Sequence, residues 1–505
     1  MQAIDTPSWV RDAVFYQIFP DRFARSQAVP KPSNLETWDG PPTPHGFKGG
    51  DLLGVAEHLD YLQDLGISAM YLNPIFQSTA NHRYHTFDYY QVDPILGGNA
   101  GFRILLDQAH RRGIRVILDG VFNHASRGFF QFNHILENGA DSPYTDWFTI
   151  SKYPLQPYNA PKGQHGYEAW WNLPALPKLN VESSDVREFL WDVACHWIEF
   201  GADGWRLDVP GEIDDDEFWR RFRSRVKSIN PDAYLVGEVW HDAQRWLRGD
   251  QFDAVMNYLF TRACLAFFVG DGLLHPEVAR TSYRRIDPLS ARQFAAEIDR
   301  VRNLYPQPVT EVQFNLLGSH DTPRFKTLAQ GDDSAYELAT LFQMTYPGAP
   351  SIYYGDEIGL EGGHDPGCRG GFPWAERSWN RQLRAHVRRC IVLRKEHAAL
   401  RGGEFTWLTT GDGIAAYGRR SSGETIIVAL NRSRQATSAD IDVTGYLPDN
   451  AVLQDLWQGG TETVSQGHMI GLRIGPRSWR VLQVAGAPEG QPRPGEARRS
   501  PAAGV

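Results

Sequence analysis

Short runs of apolar or β-branched residues alternate with amphipathic segments along most of this 505-residue chain. Residues 14–18 form a run typical of a strand, and segment 51–65 repeats apolar residues every three or four positions, as one face of a helix does. Those apolar positions are Leu52, Val55, Leu59, Leu62 and Leu65. Because parallel strands need crossover connections, this repeated order predicts a parallel sheet with a helix after each strand.

The number of strands decides between two parallel architectures. We predict eight strands, at 14–18, 67–72, 115–118, 203–207, 234–236, 252–256, 312–317 and 351–354. We predict helices at 51–65, 101–112, 184–199 and 214–227, with Ser183 or Ser184 as the N-cap of the third. An open doubly wound sheet would carry a glycine-rich phosphate loop after its first strand, and the sequence has none there. The predicted fold class is therefore α/β, a (β/α)8 TIM barrel.

Two stretches interrupt or follow this alternation. Residues 125–180 are rich in Pro, Gly, Asn, Tyr and Trp without a sustained period, so we predict an irregular subdomain inserted after the third strand. It splits the barrel into residues 1–124 and 181–400. Closely spaced strands and turns predict a C-terminal all-β sandwich domain at 401–485. The last residues, 486–505, are rich in Pro, Gly, Ala and Arg, and we expect them to be disordered.

Composition excludes several classes of protein and partner. Hydrophobic residues make up 42% and charged residues 22%, which is the balance of a globular chain. With 51 Lys and Arg against 60 Asp and Glu and no basic stripe, we do not expect nucleic acid as a partner. The best apolar run, 263–270, is far too short to span a membrane, so we expect no membrane partner either.

Cysteine spacing and the N-terminal segment bear on the compartment. The four cysteines are scattered without paired spacing, so the sequence predicts neither a disulfide framework nor a zinc ribbon. Residues 1–10 show neither the basic nor the apolar region of a secretory signal. We therefore expect a cytoplasmic location.

Polar side chains gather at the C-terminal ends of four predicted strands, where barrel enzymes carry their catalytic residues. The strings are DGVFNH at 119–124, RLD at 206–208, GEVW at 237–240 and SHD at 319–321. One rim of the barrel thus receives three carboxylates suited to chemistry, a guanidinium and two imidazoles. A single acid at a strand end often only caps a helix, but four clusters on one face favour an active site.

Three kinds of chemistry compete for these residues. A catalytic metal is disfavoured because His124 and His320 lie on different strands, each beside a different group. Covalent serine chemistry would need a Gly-x-Ser-x-Gly turn, which is missing. Paired carboxylates that divide acid and base roles are the signature of glycoside hydrolysis. We assign Asp119 a structural role, holding Arg206.

The four strings resemble the α-amylase superfamily of retaining glycoside hydrolases and occur in that family's order. The string LPKLN at 176–180 is similar to the segment that marks the neopullulanase, cyclomaltodextrinase and maltogenic amylase subgroup. The string NHRY at 81–84 resembles the subgroup's second-strand loop. The resemblance covers residues 10–485.

The resemblance implies catalytic roles for three carboxylates. Asp208 would be the nucleophile that forms the glycosyl-enzyme ester, and Glu238 would act first as general acid and then as base. Asp321 would hold ring hydroxyls more tightly as the sugar ring flattens toward the transition state.

The resemblance also implies a substrate-binding set. Arg206 would orient Asp208 and keep it ionised, and His124 and His320 would bond sugar hydroxyls. The remaining members are Tyr84 beneath the sugar ring, His82 in the NHRY string, Trp240 on the aglycone side, and Asp365 and Arg369 near the non-reducing part of the chain. For four of these a structural alternative stays open: Tyr84 as a core residue, Trp240 as packing only, and Asp365 with Arg369 as a surface ion pair.

We therefore expect an α-glucan hydrolase that cleaves α-1,4 bonds in cyclodextrins, maltooligosaccharides, starch or pullulan, with some transglycosylation. The alternatives are an exo-acting α-glucosidase, a disaccharide isomerase or transferase of the same fold, and a non-catalytic carbohydrate-binding or accessory protein. We expect no cofactor and no catalytic metal. Segment 21–26 lacks the oxygens of the subgroup's calcium loop, so a structural calcium is left open but not favoured. The sequence does not indicate the oligomeric state.

Overall fold

The computed structural model describes residues 4–158, 160–161, 163–411 and 413–485. The predicted disordered tail at 486–505 lies outside the described residues. In the part of the chain that is described, no helix is both long and apolar enough to cross a membrane. The expected cytoplasmic location and the residue boundaries of the domains stay predictions.

Eight parallel strands form a barrel, as the sequence predicts. In chain order they are β1 Phe15–Ile18, β2 Ala69–Leu72, β3 Arg115–Gly120, β4 Gly204–Leu207, β5 Tyr234–Gly237, β6 Ala254–Val255, β7 Phe314–Leu316 and β8 Ala349–Tyr353. The hydrogen-bonded order runs from β6 down to β1 and continues through β8 to β7. A parallel bridge between Met256 and Phe314 joins the two ends, so the barrel is closed. The predicted α/β fold class is confirmed.

Helices surround the barrel. Their bounds are Ser8–Asp12, Pro20–Phe23, Leu52–Glu57, Leu59–Leu65, Gly98–Arg111, Phe130–Asn138, Ser184–Glu199, Asp216–Ile229, Tyr258–Cys264, His275–Val278, Ala291–Arg302, Gln307–Thr310, Phe325–Leu328, Asp333–Thr345, Arg381–Glu396 and Ala398–Gly402. The predicted helix at 51–65 is two helices, because the backbone of His58 leaves helical geometry. Ser183 is the N-cap residue of its helix, but its hydroxyl donates to Asp146 instead of capping.

The barrel interior is filled by large side chains rather than open. Phe15, Tyr71, Tyr234 and Phe314 belong to one buried cluster, and the ring centroids of Phe15 and Phe314 are 5.1 Å apart. Such layers of side chains make the interior a packed core. The polar residues that follow the strands are therefore left to the C-terminal rim.

The segment after β3 is irregular, as predicted. It contains the helix Phe130–Asn138 and short 3₁₀ turns, and isolated bridges tie it to the barrel, among them His124 to Lys178. The sequence did not predict the antiparallel pair Phe76–Ser78 and Thr86–Val92, which follows β2 and presents residues 79–85 at the same rim.

In the described part of the C-terminal domain, eight antiparallel strands form two sheets. They are β9 Glu404–Gly411, β10 Ile414–Ser421, β11 Glu424–Asn431, β12 Thr437–Asp442, β13 Val452–Asp455, β14 Thr461–Thr463, β15 His468–Ile474 and β16 Ser478–Val484. β12 pairs with β15, and the other six strands form the second sheet. The predicted all-β domain is confirmed, although three of its strands, β13 to β15, were not predicted.

Arg419 joins this domain to the barrel, and Arg394, a second buried arginine, lies on the barrel side of the same junction. Arg419 on β10 donates to the carbonyl groups of Thr345, Leu400 and Gly403. Arg394 donates to several further carbonyls, including that of Gly348 before β8. Burial lowers the pKa of Arg394 to about 9 and that of Arg419 to about 10. Both guanidiniums thus satisfy backbone groups that no solvent reaches.

Gly204→Ala is expected to be severely destabilising. Gly204 starts β4 with φ +156°, and a Cβ there would lie 2.1 Å from the carbonyl oxygen of Tyr234, its partner on β5. Because that atom is backbone, β4 and β5 would have to separate, at a cost of about 3 kcal/mol or more in unfolding free energy. The urea unfolding curve measures this loss.

Gly113→Ala is the matched control. Gly113 also has a positive φ, +71°, but its Cβ would meet nothing within 4 Å. We expect a loss of about 1 kcal/mol from backbone strain alone. Equal losses for the two variants would show that the close approach of β4 and β5 is not the limiting contact.

Candidate active site

Arg206 lies at the centre of the rim and contacts carboxylates from three neighbouring strands. Its Nη1 donates to Asp119 Oδ1 and to Asp208 Oδ1, each at 2.8 Å, and its Nη2 lies 3.0 Å from Glu238 Oε2. The side chains of Asp208 and Glu238 are each 8% exposed. Asp208 and Glu238 directly follow β4 and β5, so one guanidinium bridges two acids on adjacent strands. As predicted, Asp119 holds Arg206.

Burial dominates the electrostatics of this cluster. It raises the pKa of Asp208 well above its ordinary value, the charges on Glu238 and Asp119 raise it further, and Arg206 lowers it. Burial also raises the pKa of Asp119, against the opposing effect of Arg206 and of hydrogen bonds from Tyr71 and Tyr84. Arg206 thus favours the ionised form of Asp208, as expected, but burial of the carboxyl group acts in the opposite direction. Burial favours the protonated forms of Asp119 and Asp208, and the charge on Arg206 opposes it.

Two donors fix the orientation of Glu238. Trp240 Nε1 donates to Oε1 at 2.9 Å, and the backbone N–H of Val209 donates to Oε2 at 3.2 Å. The Trp240 ring stacks on Tyr258 with centroids 3.5 Å apart. Val209 has φ +36°, a strained conformation for a β-branched residue, and this turn directs its N–H toward Glu238.

Asp321 lies at the opposite side of the rim and is more accessible, with 31% of its side chain exposed. Arg369 Nη2 lies 3.2 Å from Asp321 Oδ1, and Arg369 Nη1 lies 3.0 Å from Asp365 Oδ1. Arg369 also donates to the backbone carbonyl of His320 at 2.9 Å. The Asp365–Arg369 pair is therefore connected to the candidate carboxylate, not isolated on the surface.

Tyr84 connects the two halves of the rim. Its hydroxyl donates to Asp119 Oδ2 at 2.7 Å and lies 2.7 Å from His320 Nε2. His82 Nδ1 accepts from the Tyr84 backbone N–H at 3.1 Å, and His124 Nε2 donates to the Tyr84 carbonyl at 3.1 Å. The structure thus brings all eleven predicted site residues to one rim. Their roles toward a sugar stay predictions.

Two family models match this chain. The family model described as alpha amylase, catalytic domain, matches residues 17–410, and the neopullulanase-like C-terminal domain matches residues 406–483. The chain belongs to the α-amylase family of glycoside hydrolases. The resemblance inferred from the sequence motifs is confirmed.

Three relatives illustrate the family match. Cyclomaltodextrinase of Geobacillus thermopakistaniensis is 44% identical over 464 residues, which cover 91% of this chain and 75% of that protein. The structure of Ttha1563 from Thermus thermophilus superposes with a TM-score of 0.90 at 49% identity, covering 95% of this chain and 100% of that one. The native debranching enzyme of Nostoc punctiforme gives a TM-score of 0.87 at 47% identity with the same two coverages.

Several residues that support this α-amylase-family site were not predicted. Gln17 on β1 lies with its Nε2 2.8 Å from His320 Nδ1, and the hydroxyl of Tyr71 on β2 donates to Asp119. Each of these two residues places a polar group within an otherwise apolar strand, and this was the signal by which the sequence could have indicated them. The ring of Trp170 stacks on His124, with centroids 4.8 Å apart, and nothing in the local pattern indicates that contact.

A cavity of about 490 Å³ opens beside Asp365 and Arg369. Its lining also includes His82, His85 and Arg127. Within the described ranges, no group of three or more His, Cys, Asp or Glu side chains is placed to hold a metal ion. Asp21, in the segment considered for calcium, instead accepts from the backbone of Lys48 and Gly49.

His124 is expected to make stability depend on pH. Burial lowers the pKa of His124 to about 3, so the native state stays neutral while the unfolded chain gains a proton below its ordinary pKa of about 6.5. Stability from this residue is present above pH 6.5 and is lost as the pH falls. The advantage of wild type over His124→Asn should shrink by about 2 kcal/mol between pH 6.5 and 5. Urea unfolding at both pH values measures it.

The control for this pH effect is Gln244→Ala, because Gln244 is exposed and its side chain does not titrate. Its difference from wild type should be the same at pH 6.5 and pH 5. If the His124→Asn difference were equally independent of pH, His124 would take up its proton in the folded state, contrary to the buried geometry.

Proposed function

We propose that this α-amylase-family protein is a retaining hydrolase that cleaves α-1,4-glucosidic bonds in cyclodextrins, maltooligosaccharides, starch or pullulan, with transglycosylation as a side reaction. The observation that carries the proposal is the bridge from Arg206 to Asp208 and Glu238. Two carboxyl groups bound to one guanidinium and supplied by adjacent strands face one space. Retaining hydrolysis needs such a closely spaced pair.

In the first step, Asp208 would attack the anomeric carbon while Glu238 gives its proton to the departing glycosidic oxygen. A covalent glycosyl ester on Asp208 results. Glu238, now ionised, would take a proton from water as the water attacks the same carbon, which releases Asp208 and a sugar of retained configuration. A sugar hydroxyl in place of water gives transglycosylation.

The surrounding contacts support this division of roles. The N–H groups of Trp240 and Val209 hold both oxygens of Glu238, which fixes the acid where a glycosidic oxygen would lie. Arg206 donates to Asp208 Oδ1, which leaves Oδ2 for attack. Asp321 is exposed enough to meet sugar hydroxyls, and Arg369 holds its position.

Cleavage of α-1,6 bonds is the second candidate. The matched debranching enzyme of Nostoc punctiforme is covered over its full chain, whereas cyclomaltodextrinase is covered over 75%. Because the debranching enzyme is matched over its whole length, cleavage of α-1,6 bonds should be tested beside cleavage of α-1,4 bonds.

One substrate separates the two candidates. Pullulan consists of maltotriose units joined by α-1,6 bonds, so α-1,4 cleavage yields panose or isopanose and α-1,6 cleavage yields maltotriose. We expect panose-type products from pullulan and maltooligosaccharides from β-cyclodextrin, each released as the α-anomer. Products are identified by chromatography and by NMR of the fresh reducing end. Release of the β-anomer, or no release from any α-glucan, would overturn the proposal.

A further inference from the structure

Trp171 is a large aromatic residue in an unfavourable position. Its side chain is 69% exposed, and its φ is +52°. This is the left-handed region, which residues other than glycine, asparagine and aspartate rarely adopt. The next residue, Asn172, is also left-handed, at φ +57°. Because the ring is exposed, its packing contributes little free energy to offset the strain of the backbone. Backbone strain of this kind is concentrated at functional sites.

The strained turn places Trp171 at the end of a stack of three rings. The Trp170 ring lies parallel to the His124 ring, with centroids 4.8 Å apart and an interplanar angle of 7°. The Trp171 ring continues the stack on Trp170, with centroids 4.3 Å apart at 16°. Among the described residues, no other aromatic ring and no guanidinium lies against Trp171. Its outer face is open.

The stack is fixed to the catalytic rim. The backbone N–H of Trp170 donates to the Leu176 carbonyl at 3.0 Å, and bridges join Ala169 to Pro177 and His124 to Lys178. Lys178 Nζ lies 3.5 Å from Glu212 Oε2, four residues after Asp208. The rings therefore extend from a residue of the active site to the surface without a break.

We propose that the outer face of Trp171 binds a glucosyl unit of an α-glucan chain, at a distance from the bond that is cut. This inference rests on the proposed function, because the chain must pass through the site at His124. The C–H face of a glucose ring is apolar and flat enough to pack on an indole ring, while its hydroxyls stay in water. Continuity with the rim makes an extended substrate the occupant that fits.

A second copy of the chain is the competing occupant. A stable protein interface buries well over 1,000 Å² in total. One exposed ring supplies only a small part of that area. We therefore assign Trp171 to substrate, and the mass of the particle in solution tests the competitor.

The binding of maltoheptaose to a variant with very low activity tests the proposal. In the full-length Glu238→Gln protein, maltoheptaose is titrated by calorimetry, with and without a second change at Trp171. Trp171→Ala should weaken binding about tenfold, and Trp171→Tyr, which keeps a flat ring, should stay within about threefold of the parent. The thermal midpoint of Trp171→Asn should not fall below that of the parent, because asparagine tolerates this backbone. A purely structural tryptophan would instead lower it.

Phe130→Ala in the same background is the matched control, since Phe130 is a 62% exposed aromatic residue of the same subdomain but lies outside the stack. It should bind maltoheptaose as the parent does. If the parent binds and Trp171→Ala matches Phe130→Ala, the Trp171 subsite is refuted while the proposed function stands. If the parent binds no α-glucan, both fail. A change in solution mass at Trp171→Ala without loss of binding would assign the ring to an interface.

Discussion

Asp208→Asn is expected to lower kcat on maltooligosaccharides by about 10⁴-fold or more, since the variant has no carboxylate to form the ester. The amide keeps the shape of the side chain, and Arg206 retains its contacts with Asp119 and Glu238. We therefore expect a thermal midpoint close to that of wild type. Initial rates on maltotriose and a thermal unfolding scan on the same preparation measure both quantities.

Asp60→Asn is the control, because Asp60 has a side chain that is 82% exposed and forms a surface ion pair with Arg112. Its rate should equal that of wild type. Turnover by Asp208→Asn within tenfold of wild type on α-glucans would remove Asp208 from the nucleophile role and the ester from the mechanism.

Glu238→Gln is expected to lower kcat on maltotriose by about 10³-fold, because the glutamine has no proton to give the departing oxygen. With α-maltosyl fluoride the loss in the first step should be far smaller, because fluoride departs without a proton. The amide oxygen of the glutamine can still accept from Trp240 Nε1, but its NH2 group can no longer accept from the Val209 N–H. Comparing kcat/KM on the two substrates isolates the acid role, because kcat/KM reports the first step and not the later step in which Glu238 acts as base.

Glu217→Gln serves as the control for that comparison, since Glu217 has a side chain that is 74% exposed on the helix Asp216–Ile229. It should leave both rates unchanged. An equal loss of kcat/KM on maltotriose and on the fluoride would mean that Glu238 positions the substrate instead of donating a proton.

The barrel was predictable because burial dictates its sequence pattern. Strands buried on both faces read as short apolar runs, so each of the eight was placed within three residues of its observed bounds. The break at His58 was not predictable, because the apolar repeat of 51–65 continues through it. The three missed strands of the C-terminal domain are short or alternate with exposed positions, which weakens their pattern.

The site divides in the same way. Asp208 and Glu238 follow strands directly and Asp321 lies in the loop after β7, so the barrel brings all three to one rim. Contacts between positions far apart in the sequence carry no local signal. The stacking of Trp170 on His124 depends on the path of an irregular segment. The approach of Gln17 to His320 depends on how the loop after β7 returns toward β1, two strands away in the barrel. Motifs therefore identified the acids, and only the structure identified their supports.

The buried Arg419, between the two domains, limits how this enzyme can be re-engineered. Arg419 is contributed by the C-terminal sheet, yet it satisfies carbonyl groups at the ends of two barrel helices. A truncation after Gly402 would remove the arginine that donates to the Thr345 carbonyl and expose that carbonyl to water, whereas the Leu400 carbonyl would keep its bond from Arg394. The C-terminal domain is thus not an independent unit. A domain taken from a homologue would have to supply an arginine that reaches the same carbonyl groups of the barrel.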